Sequence, residues 1–351
     1  MKNTFIYLLT ICLFVLLCFS CNDTEYVEKK FPLFQELKAN EVHINEIFKL
    51  WEIYKLKNYI IFRDGSENCN VFFYVYKYPE FKFLYSFAQK GQGPGEYRSP
   101  SIIRDTRDNF FSFRDYQTFV TYQLSDSSST IINSSKIPTL ESGFLLTGIT
   151  QVDDSLFLAK PQSNRWTRRE LINLYTQEIL DDIPNTFNLE KKLGKEYYTT
   201  FEESLVVSNN KRFVYGYLLI DLIEFGLIKN NKIVITNRVG MKKPPNFYLY
   251  GAGGMQGRKY EFNVQHNIVY YNDIQCGNNY VYALYANIPM GDLKNEQAFF
   301  IEVYTWDGNP VALLKLDKGI SNFVVDEEMQ TIYGFDVNFN EDYLYSFKFN
   351  I

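Results

Sequence analysis

The chain has 351 residues, of which 46% are apolar, so it can bury a core large enough for one large domain or two ordinary ones. Its net charge of −5 provides no basic excess to neutralise phosphates, which argues against nucleic-acid binding. Aromatic side chains make up 18% of the sequence. Because rings suit the pleated, half-buried surface of a sheet, this composition favours an all-β fold.

The first 21 residues differ from the rest of the chain. Lys2 is followed by an apolar run at 5–19, which is too short to span a bilayer comfortably and is typical of a signal peptide. Ser20 followed by Cys21 resembles a bacterial lipobox, in which the cysteine is lipidated after cleavage on its N-terminal side. A plain secretory signal and an uncleaved anchor stay open as alternatives. The predicted segments are a signal peptide at 1–20, a lipidated tether at 21–30 and a folded domain at 31–351.

Cysteine and histidine are scarce outside this leader. Cys69 and Cys276 lack the spacing of a metal site, and they either form a disulfide in an oxidising envelope or, as we favour, remain separate and buried. The histidines are His43 and His266, and both are expected to have packing roles, with His266 near a turn at the bottom of a blade. We predict no resident cofactor, and we leave open a calcium site built from carboxylate and amide oxygens.

Short runs of alternating apolar residues recur every 8–12 residues between turn-forming residues, a pattern typical of antiparallel strands. Segments 58–65 and 109–116 align without gaps, and their shared Phe-Arg-Asp recurs 51 residues later. The repeating unit is about 52 residues long with four strands, and six such units fill the chain. We therefore predict a six-bladed β-propeller with four-stranded antiparallel blades.

The last blade shows only three clear strands. We predict that an N-terminal strand at 31–37 completes it, which would close the ring and leave no exposed edge between the first and last blades.

In a propeller blade the innermost strand comes first. The loops between second and third strands and the connections to the next blade therefore share one face, which we call the crossover face. The segment GQGPGEY (91–97) is such a connection, between blades 1 and 2. Glycines allow positive φ and Pro94 stiffens the loop, whereas Glu96 would repel an anion and a strand follows. We predict a structural corner and not a phosphate-binding loop.

The segment 91–97 and the segment 303–335 resemble the TolB-like six-bladed β-propeller lipoproteins of Bacteroidetes. The resemblance covers most of the mature chain. It implies a six-bladed propeller on the bacterial cell envelope, and it implies no catalytic residue.

The predicted topology places a set of polar and aromatic side chains on the crossover face. They are Arg63, Asp64, Gln92, Glu96, Tyr97, Arg114, Asp115, Asp221, Asp273 and Asp336. Together they would form a polar ligand cup at the mouth of the channel. For each aspartate the alternative is that its side-chain oxygen caps the next turn, with the neighbouring arginine paired to it.

Two irregular segments belong to the same face. The segment 240–261 is either a lid over the channel or a tolerated insertion, and the segment 287–298 is an insertion between two strands of blade 5.

These features predict a lipid-anchored envelope protein, most consistent with the outer membrane, that is a binding module and not an enzyme. Its partner would be a protein, a peptide or a glycan held on an open, aromatic-rimmed crossover face. One alternative is a calcium-dependent hydrolase or lactonase, which requires carboxylate or amide oxygens converging near the channel axis. Another is a structural role in envelope assembly, which would place the conspicuous patch on the sides or the opposite face.

Overall fold

The computed structural model describes most of the chain. The described residues are 25–103, 107–116, 118–136, 146–161, 168–184, 186–187, 204–245, 249–250, 261–262, 266–293, 297–337 and 343–351. Over these ranges it contains no α-helix. None of the helical segments in this part of the chain has the length and apolar character needed to cross a bilayer.

The first half of the chain forms three short strands and three blades. The short strands are β1 (Glu25–Val27), β2 (Leu33–Leu37) and β3 (Ala39–Val42). Blade 1 consists of β4 (Leu50–Lys55), β5 (Tyr59–Asp64), β6 (Val71–Lys77) and β7 (Lys82–Gln89). Blade 2 consists of β8 (Pro100–Ile103), β9 (Phe110–Asp115), β10 (Thr118–Leu124) and β11 (Ser129–Lys136). Blade 3 consists of β12 (Leu146–Gln151), β13 (Leu156–Pro161), β14 (Arg168–Asn173) and β15 (Glu178–Pro184).

The second half forms the other three blades. Blade 4 consists of β16 (Ser204–Asn209), β17 (Arg212–Tyr217), β18 (Leu222–Lys229) and β19 (Lys232–Gly240). A small pair follows, β20 (Leu249–Tyr250) and β21 (Glu261–Phe262). Blade 5 consists of β22 (Ile268–Cys276), β23 (Tyr280–Pro289), β24 (Ala298–Thr305) and β25 (Pro310–Ile320), with a 3-10 turn at Met290–Asp292 after β23. Blade 6 contains β26 (Asn322–Asp326), β27 (Thr331–Phe335) and β28 (Leu344–Lys348).

The six blades form a ring. The strands of each blade pair in chain order as antiparallel neighbours. The first strands of successive blades contact one another from β8 through β12, β16, β22 and β26 to β4, so the first strand of each blade lines the channel. The predicted all-β, six-bladed propeller is therefore confirmed.

Aromatic side chains fill the space between blades 1 and 2. The rings of Phe73 and Phe111 meet edge to face with centroids 4.8 Å apart, and both side chains are fully buried. Phe113 joins them from blade 2 and packs against Phe73 at 5.2 Å. Each buried ring contributes about 2–3 kcal/mol through loss of apolar surface from water. The middle strands β5 and β6 are buried at nearly every residue, which explains their apolar runs.

An N-terminal strand completes blade 6, as predicted, but the segment differs from the predicted one. The strand β3 pairs antiparallel with β28, with Val42 opposite Leu344. The predicted segment forms β2, which pairs parallel with β25 as a fifth strand of blade 5. The stronger apolar alternation belongs to β2, where Leu37 is buried in the blade 5 core. The sequence of β3 is Ala-Asn-Glu-Val, and this short polar run carries little strand signal.

The strand β1 lies on the outer edge of blade 4, parallel to β19. Residues 25–42, which we call the N-terminal belt, therefore cover the outer edges of blades 4, 5 and 6 in succession. Covered edges cannot template pairing with another chain. Part of the predicted tether is folded onto the propeller from Glu25 onward, whereas Cys21 lies outside the described residues.

The segment 91–97 is a structural corner, as predicted. The Glu96 amide donates to the Gly93 carbonyl at 3.1 Å and closes a turn around Pro94 and Gly95. Gly95 has a φ of +79°, which suits glycine at the third position of a type II turn. The Glu96 carboxylate accepts the Gly93 amide at 2.7 Å, so the acidic side chain ties the loop to itself.

Replacing Gly95 with alanine is expected to lower the free energy of unfolding by about 1 kcal/mol, because alanine is strained at positive φ. A Cβ at this position meets no atom within 4 Å, so backbone strain is the whole effect. Urea denaturation measures the change. Gly95→Asn should lose less stability than Gly95→Ala, since asparagine tolerates positive φ better. A Gly95→Ala variant as stable as the wild type would contradict the turn geometry.

Candidate functional site

A cavity of about 290 Å³ opens on the crossover face between blades 5, 6 and 1. Its lining includes Trp51, Glu52, Gln297, Asn322 and Asp336. Trp51 and Glu52 belong to the start of β4, Asn322 begins β26, and Asp336 directly follows β27. These positions meet because the innermost strands begin on this face, next to the ends of the second strands. The cavity thus combines one large ring with amide and carboxylate groups.

Exposed aromatic side chains concentrate on the same face. The structure shows eleven exposed large apolar side chains among the described residues. The five on the crossover face are Phe48, Trp51, Tyr116, Phe299 and Tyr343. Phe48 is 66% exposed and Trp51 is 42% exposed. Within the described chain, the opposite face presents only Tyr175 and Met329, so the apolar exposure is biased toward the crossover face.

The polar groups of the cavity are tied to one another. Arg63 Nη1 donates to Glu52 Oε2 at 3.2 Å, and the Arg63 guanidinium lies 5.9 Å from the Phe72 ring. Burial raises the pKa of Glu52, while Arg63 opposes that change. Glu52 therefore takes up a proton more readily than an exposed glutamate. Gln297 Nε2 donates to Asp336 at 3.4 Å on the other side of the cavity.

The Phe-Arg-Asp corners tie connections between blades. Asp64 is buried and accepts the amides of Phe48 at 2.8 Å and Ser66 at 2.7 Å. Asp115 accepts the Ser99 amide at 2.6 Å in the next connection. Asp64 thus caps the next turn through Ser66, as the alternative interpretation expects, whereas Asp115 ties the preceding connection and Arg63 pairs with Glu52. Arg114 is half-buried, and burial lowers its pKa.

The predicted residues of the segment 91–97 serve the corner itself. Arg98 Nη2 donates to the Gln92 side-chain oxygen at 3.2 Å. Tyr97 is buried, with its hydroxyl 3.0 Å from that of Tyr122 and its ring packed on Phe113. Of this group, Gln92 is exposed on the face, whereas Glu96 and Tyr97 hold the loop in place.

Asp221 and Asp273 have surroundings that differ from the predicted rim. Asp221 follows β17, as expected, but its carboxylate is bound by Lys29 of the N-terminal belt. Asp273 lies within β22, the innermost strand of blade 5, and not at the end of a second strand. It accepts a hydrogen bond from Gln275 at 2.9 Å. The sequence repeat predicted that Asp273 ends the second strand of blade 5, and this prediction is wrong because β22 is the first strand.

One histidine also needs correction. His266 lies two residues before the start of β22, so it is exposed on the crossover face and not near a bottom turn. Cys69 and Cys276 form no disulfide with each other, as we favoured, and Cys69 is buried whereas Cys276 is half-buried.

Of the ten predicted residues, Asp336 is one that lines the cavity, and Arg63 supports it through Glu52. The sequence predicted an aromatic rim but not which residues form it, and it did not indicate the amides Gln297 and Asn322. Alternation of apolar residues predicts strands, but it does not show which rings point to water at a strand end. An aromatic residue in a connection between blades, such as Phe48, is the sequence feature that could have indicated an exposed ring.

A second cavity, of about 700 Å³, lies at the opposite mouth of the channel. It is formed by the turns between first and second strands of several blades, with Asn209, Gln275 and Asp326 in its lining. Two charge pairs lie in it: Lys55 Nζ is 3.1 Å from Asp326, and Lys57 Nζ is 3.9 Å from Asp108.

Metal ligands do not converge in the part of the chain that the structure describes. No group of three or more histidine, cysteine, aspartate or glutamate side chains there is placed to hold a metal ion. The segments between 246 and 265 lie mostly outside the described residues, so the predicted lid at 240–261 stays a prediction.

The structure is a six-bladed β-propeller whose crossover face carries exposed aromatic side chains and a polar cavity. The model of the TolB-like 6-blade propeller-like family matches residues 30–328. The chain therefore belongs to the TolB-like six-bladed propeller family.

Two solved structures illustrate the likeness. A Bacteroides fragilis protein described as exported is 14% identical with a TM-score of 0.57, and the match covers 92% of this chain and 98% of that protein. A DUF4221 family member from Bacteroides vulgatus is 14% identical with a TM-score of 0.49, covering 89% and 98% of the two chains. The first supports the fold alone. The comparison with curated protein sequences gives no match.

Proposed function

We propose that this protein is a cell-envelope lipoprotein that acts as a binding module, and that it holds a protein, peptide or glycan on its crossover face. The observation that carries the proposal is the bias of exposed rings toward the crossover face, where one of them, Trp51, lines the 290 Å³ cavity. Rings offer large, rigid contact area to apolar side chains and sugar faces, and neighbouring amides and carboxylates fix orientation. The leader ending at Cys21 supports the envelope location.

Binding is favoured over hydrolysis by the geometry of the described residues. A calcium-dependent lactonase requires several oxygen ligands converging on one ion. Asp64 and Asp115 instead accept backbone amides, and Asp221 binds Lys29. These three carboxylates are therefore already bound within the protein, whereas Asp336 lines the cavity.

A role in envelope assembly is the second candidate, because the larger cavity lies on the opposite face. Its mixed, mutually paired charges suit a polar protein surface more than a small apolar ligand.

The proposal is tested with the purified mature protein on two arrays, one of synthetic peptides and one of defined oligosaccharides. Trp51→Ala is expected to weaken binding to the selected probe at least about tenfold, because central aromatic anchors typically contribute 2 kcal/mol or more. Isothermal titration with that probe measures the change.

Tyr175→Ala is the matched control, since Tyr175 is exposed on the opposite face. Binding that resists Trp51→Ala and Phe299→Ala but falls with changes around Asp326 would favour the assembly role. Failure to bind any member of either array would count against the binding module.

A further inference from the structure

Blade 4 has an unusual charge. Residues 204–245 contain seven lysines and arginines but only two carboxylates, a net charge of +5 in a chain of net −5. Those two carboxylates are Asp221, which binds Lys29, and Glu224, which is fully buried. Lys211 is paired with Asp153 of blade 3 at 2.9 Å and Arg238 with Glu224 at 2.7 Å, which leaves Lys229, Lys232, Lys242 and Lys243 as the exposed lysines that give blade 4 its positive charge. Blade 1, on the other side of the ring, carries five basic and four acidic residues over 50–89.

The exposed lysines of blade 4 flank its outer strand. Lys229 and Lys232 border the turn between β18 and β19, and Lys242 and Lys243 follow the end of β19. Lys242 Nζ lies 5.6 Å from the ring centroid of Tyr26 in β1. Lys242 is thus a neighbour of the N-terminal belt, whereas Lys229 and Lys232 lie at the other end of the same outer strand. The belt adds Glu25 and Glu28, and Glu28 is paired with Lys30 at 2.7 Å.

The same edge receives the predicted lipid anchor. The strand β1 begins at Glu25, four residues after Cys21. Four extended residues span at most roughly 14 Å. A lipid on Cys21 would consequently hold the edge of blade 4 within that distance of the bilayer surface.

We propose that the outer edge of blade 4 is a membrane-facing surface that contacts anionic phospholipid headgroups. The protein is then anchored by its side, and its channel axis runs along the membrane plane. Both channel mouths stay open, so a partner can reach the crossover face from beside the membrane. The inference rests on the lipid anchor of the proposed function, and it adds an orientation and a lipid class.

The test is a lysine footprint of the lipidated mature protein. The protein is placed in phosphatidylcholine vesicles containing phosphatidylglycerol, and separately in detergent micelles, and is acylated with an amine-reactive ester. Mass spectrometry then gives the modification rate of each lysine. Lys229, Lys232, Lys242 and Lys243 are expected to react about fivefold more slowly in the vesicles, as suits lysines held at an anionic surface. Lys82 of blade 1 should react equally in both.

A charge variant distinguishes binding of these lysines to the anionic membrane surface from a general shielding of the protein by the vesicle. In the Lys242→Gln, Lys243→Gln double variant, the rates at Lys229 and Lys232 should rise toward their micelle values. Lys82→Gln should leave them unchanged. All these side chains are exposed, so the variants are expected to fold.

The outcomes distinguish the two proposals. If mass spectrometry finds no lipid on Cys21, both the anchor and this orientation are refuted. If the lipid is present but protection is uniform, or falls on Lys82, only the orientation is refuted. The effect of Trp51→Ala on probe binding does not depend on the lipid anchor or on the orientation, so it tests the binding function separately.

Discussion

Replacing Glu224 with alanine is expected to lower the free energy of unfolding by about 4 kcal/mol, the largest loss of any single change proposed for this protein. Glu224 is fully buried in β18 of blade 4. Its Oε2 lies 2.5 Å from Nη1 of Arg169, which reaches it from β14 of blade 3. Removing the carboxylate leaves a guanidinium that is 4% exposed without its counter-charge.

The neighbours of Glu224 show why the loss is large. Arg238 Nε donates to Glu224 Oε1 at 2.7 Å, and the Tyr217 hydroxyl donates to Oε2 at 2.8 Å. The Arg169 guanidinium also lies 4.4 Å from the Tyr215 ring centroid. The network joins blades 3 and 4 through a low-dielectric region, where a broken pair is costly. Equilibrium urea unfolding measures the effect. Glu328→Ala, an exposed site, should change stability by less than about 0.5 kcal/mol.

The same carboxyl predicts a pH dependence. Burial alone would raise the pKa of Glu224, but Arg169, Thr186 and Arg238 lower it from 4.5 to about 2. A lowered folded-state pKa stabilises the fold above the unfolded value, and that contribution disappears as the pH falls toward the folded value. Between about pH 4.5 and 2, the wild type should therefore lose about 3 kcal/mol from this group alone. Glu224→Gln should lack this component. If the free energy of unfolding fell equally with pH in the wild type and in Glu224→Gln, the assignment would be contradicted.

Replacing Lys29 with alanine is expected to cost about 3 kcal/mol and to loosen the N-terminal belt. Lys29 Nζ is bound to the Asp221 carboxylate, lies 3.1 Å from Glu302 Oε1 and donates to the Tyr271 hydroxyl at 2.6 Å. The Glu302 side chain is 4% exposed, and burial raises its pKa despite Lys29. Without the cation, two close carboxylates stay behind in a largely dry space between blades 4 and 5.

Urea unfolding and hydrogen–deuterium exchange across 25–42 measure the two consequences. The deficit should shrink as the pH is lowered, because Glu302, whose pKa burial raises, then protonates and no longer needs a counter-charge. Lys30→Ala is the matched control, since the Lys30 side chain is 78% exposed. Equal exchange of the belt in both variants would show that Lys29 does not hold it.

The propeller fold was predictable because the sequence patterns that indicate it lie within single strands and turns. Segments 58–65 and 109–116 share Phe-Arg-Asp at equivalent strand ends, and the structure places both at the end of a second strand. The corner at 91–97 was predictable for the same reason, since Gly95 and Pro94 impose their backbone conformations wherever they occur. The strand β3 was missed because two apolar residues in four carry almost no periodicity.

The candidate site was only partly predictable, because it depends on contacts between distant blades. Asp64 and Asp115 lie on the predicted face, but their oxygens are used by amides of the preceding connection. Asp336 lines the cavity because Gln297 and Trp51 arrive from blades 5 and 1. No pattern within a blade shows these neighbours.

By itself the sequence determined an all-β chain of six repeated units behind a short apolar leader, since strand period, turn residues and repeat length are properties of neighbouring residues. Only the tertiary structure decided which rings face water, which carboxylates are already bound, and that the N-terminal belt lies on blades 4 to 6. Those outcomes depend on which surfaces meet when the ring closes, and residues such as Lys29 and Glu302 are 273 positions apart in the chain.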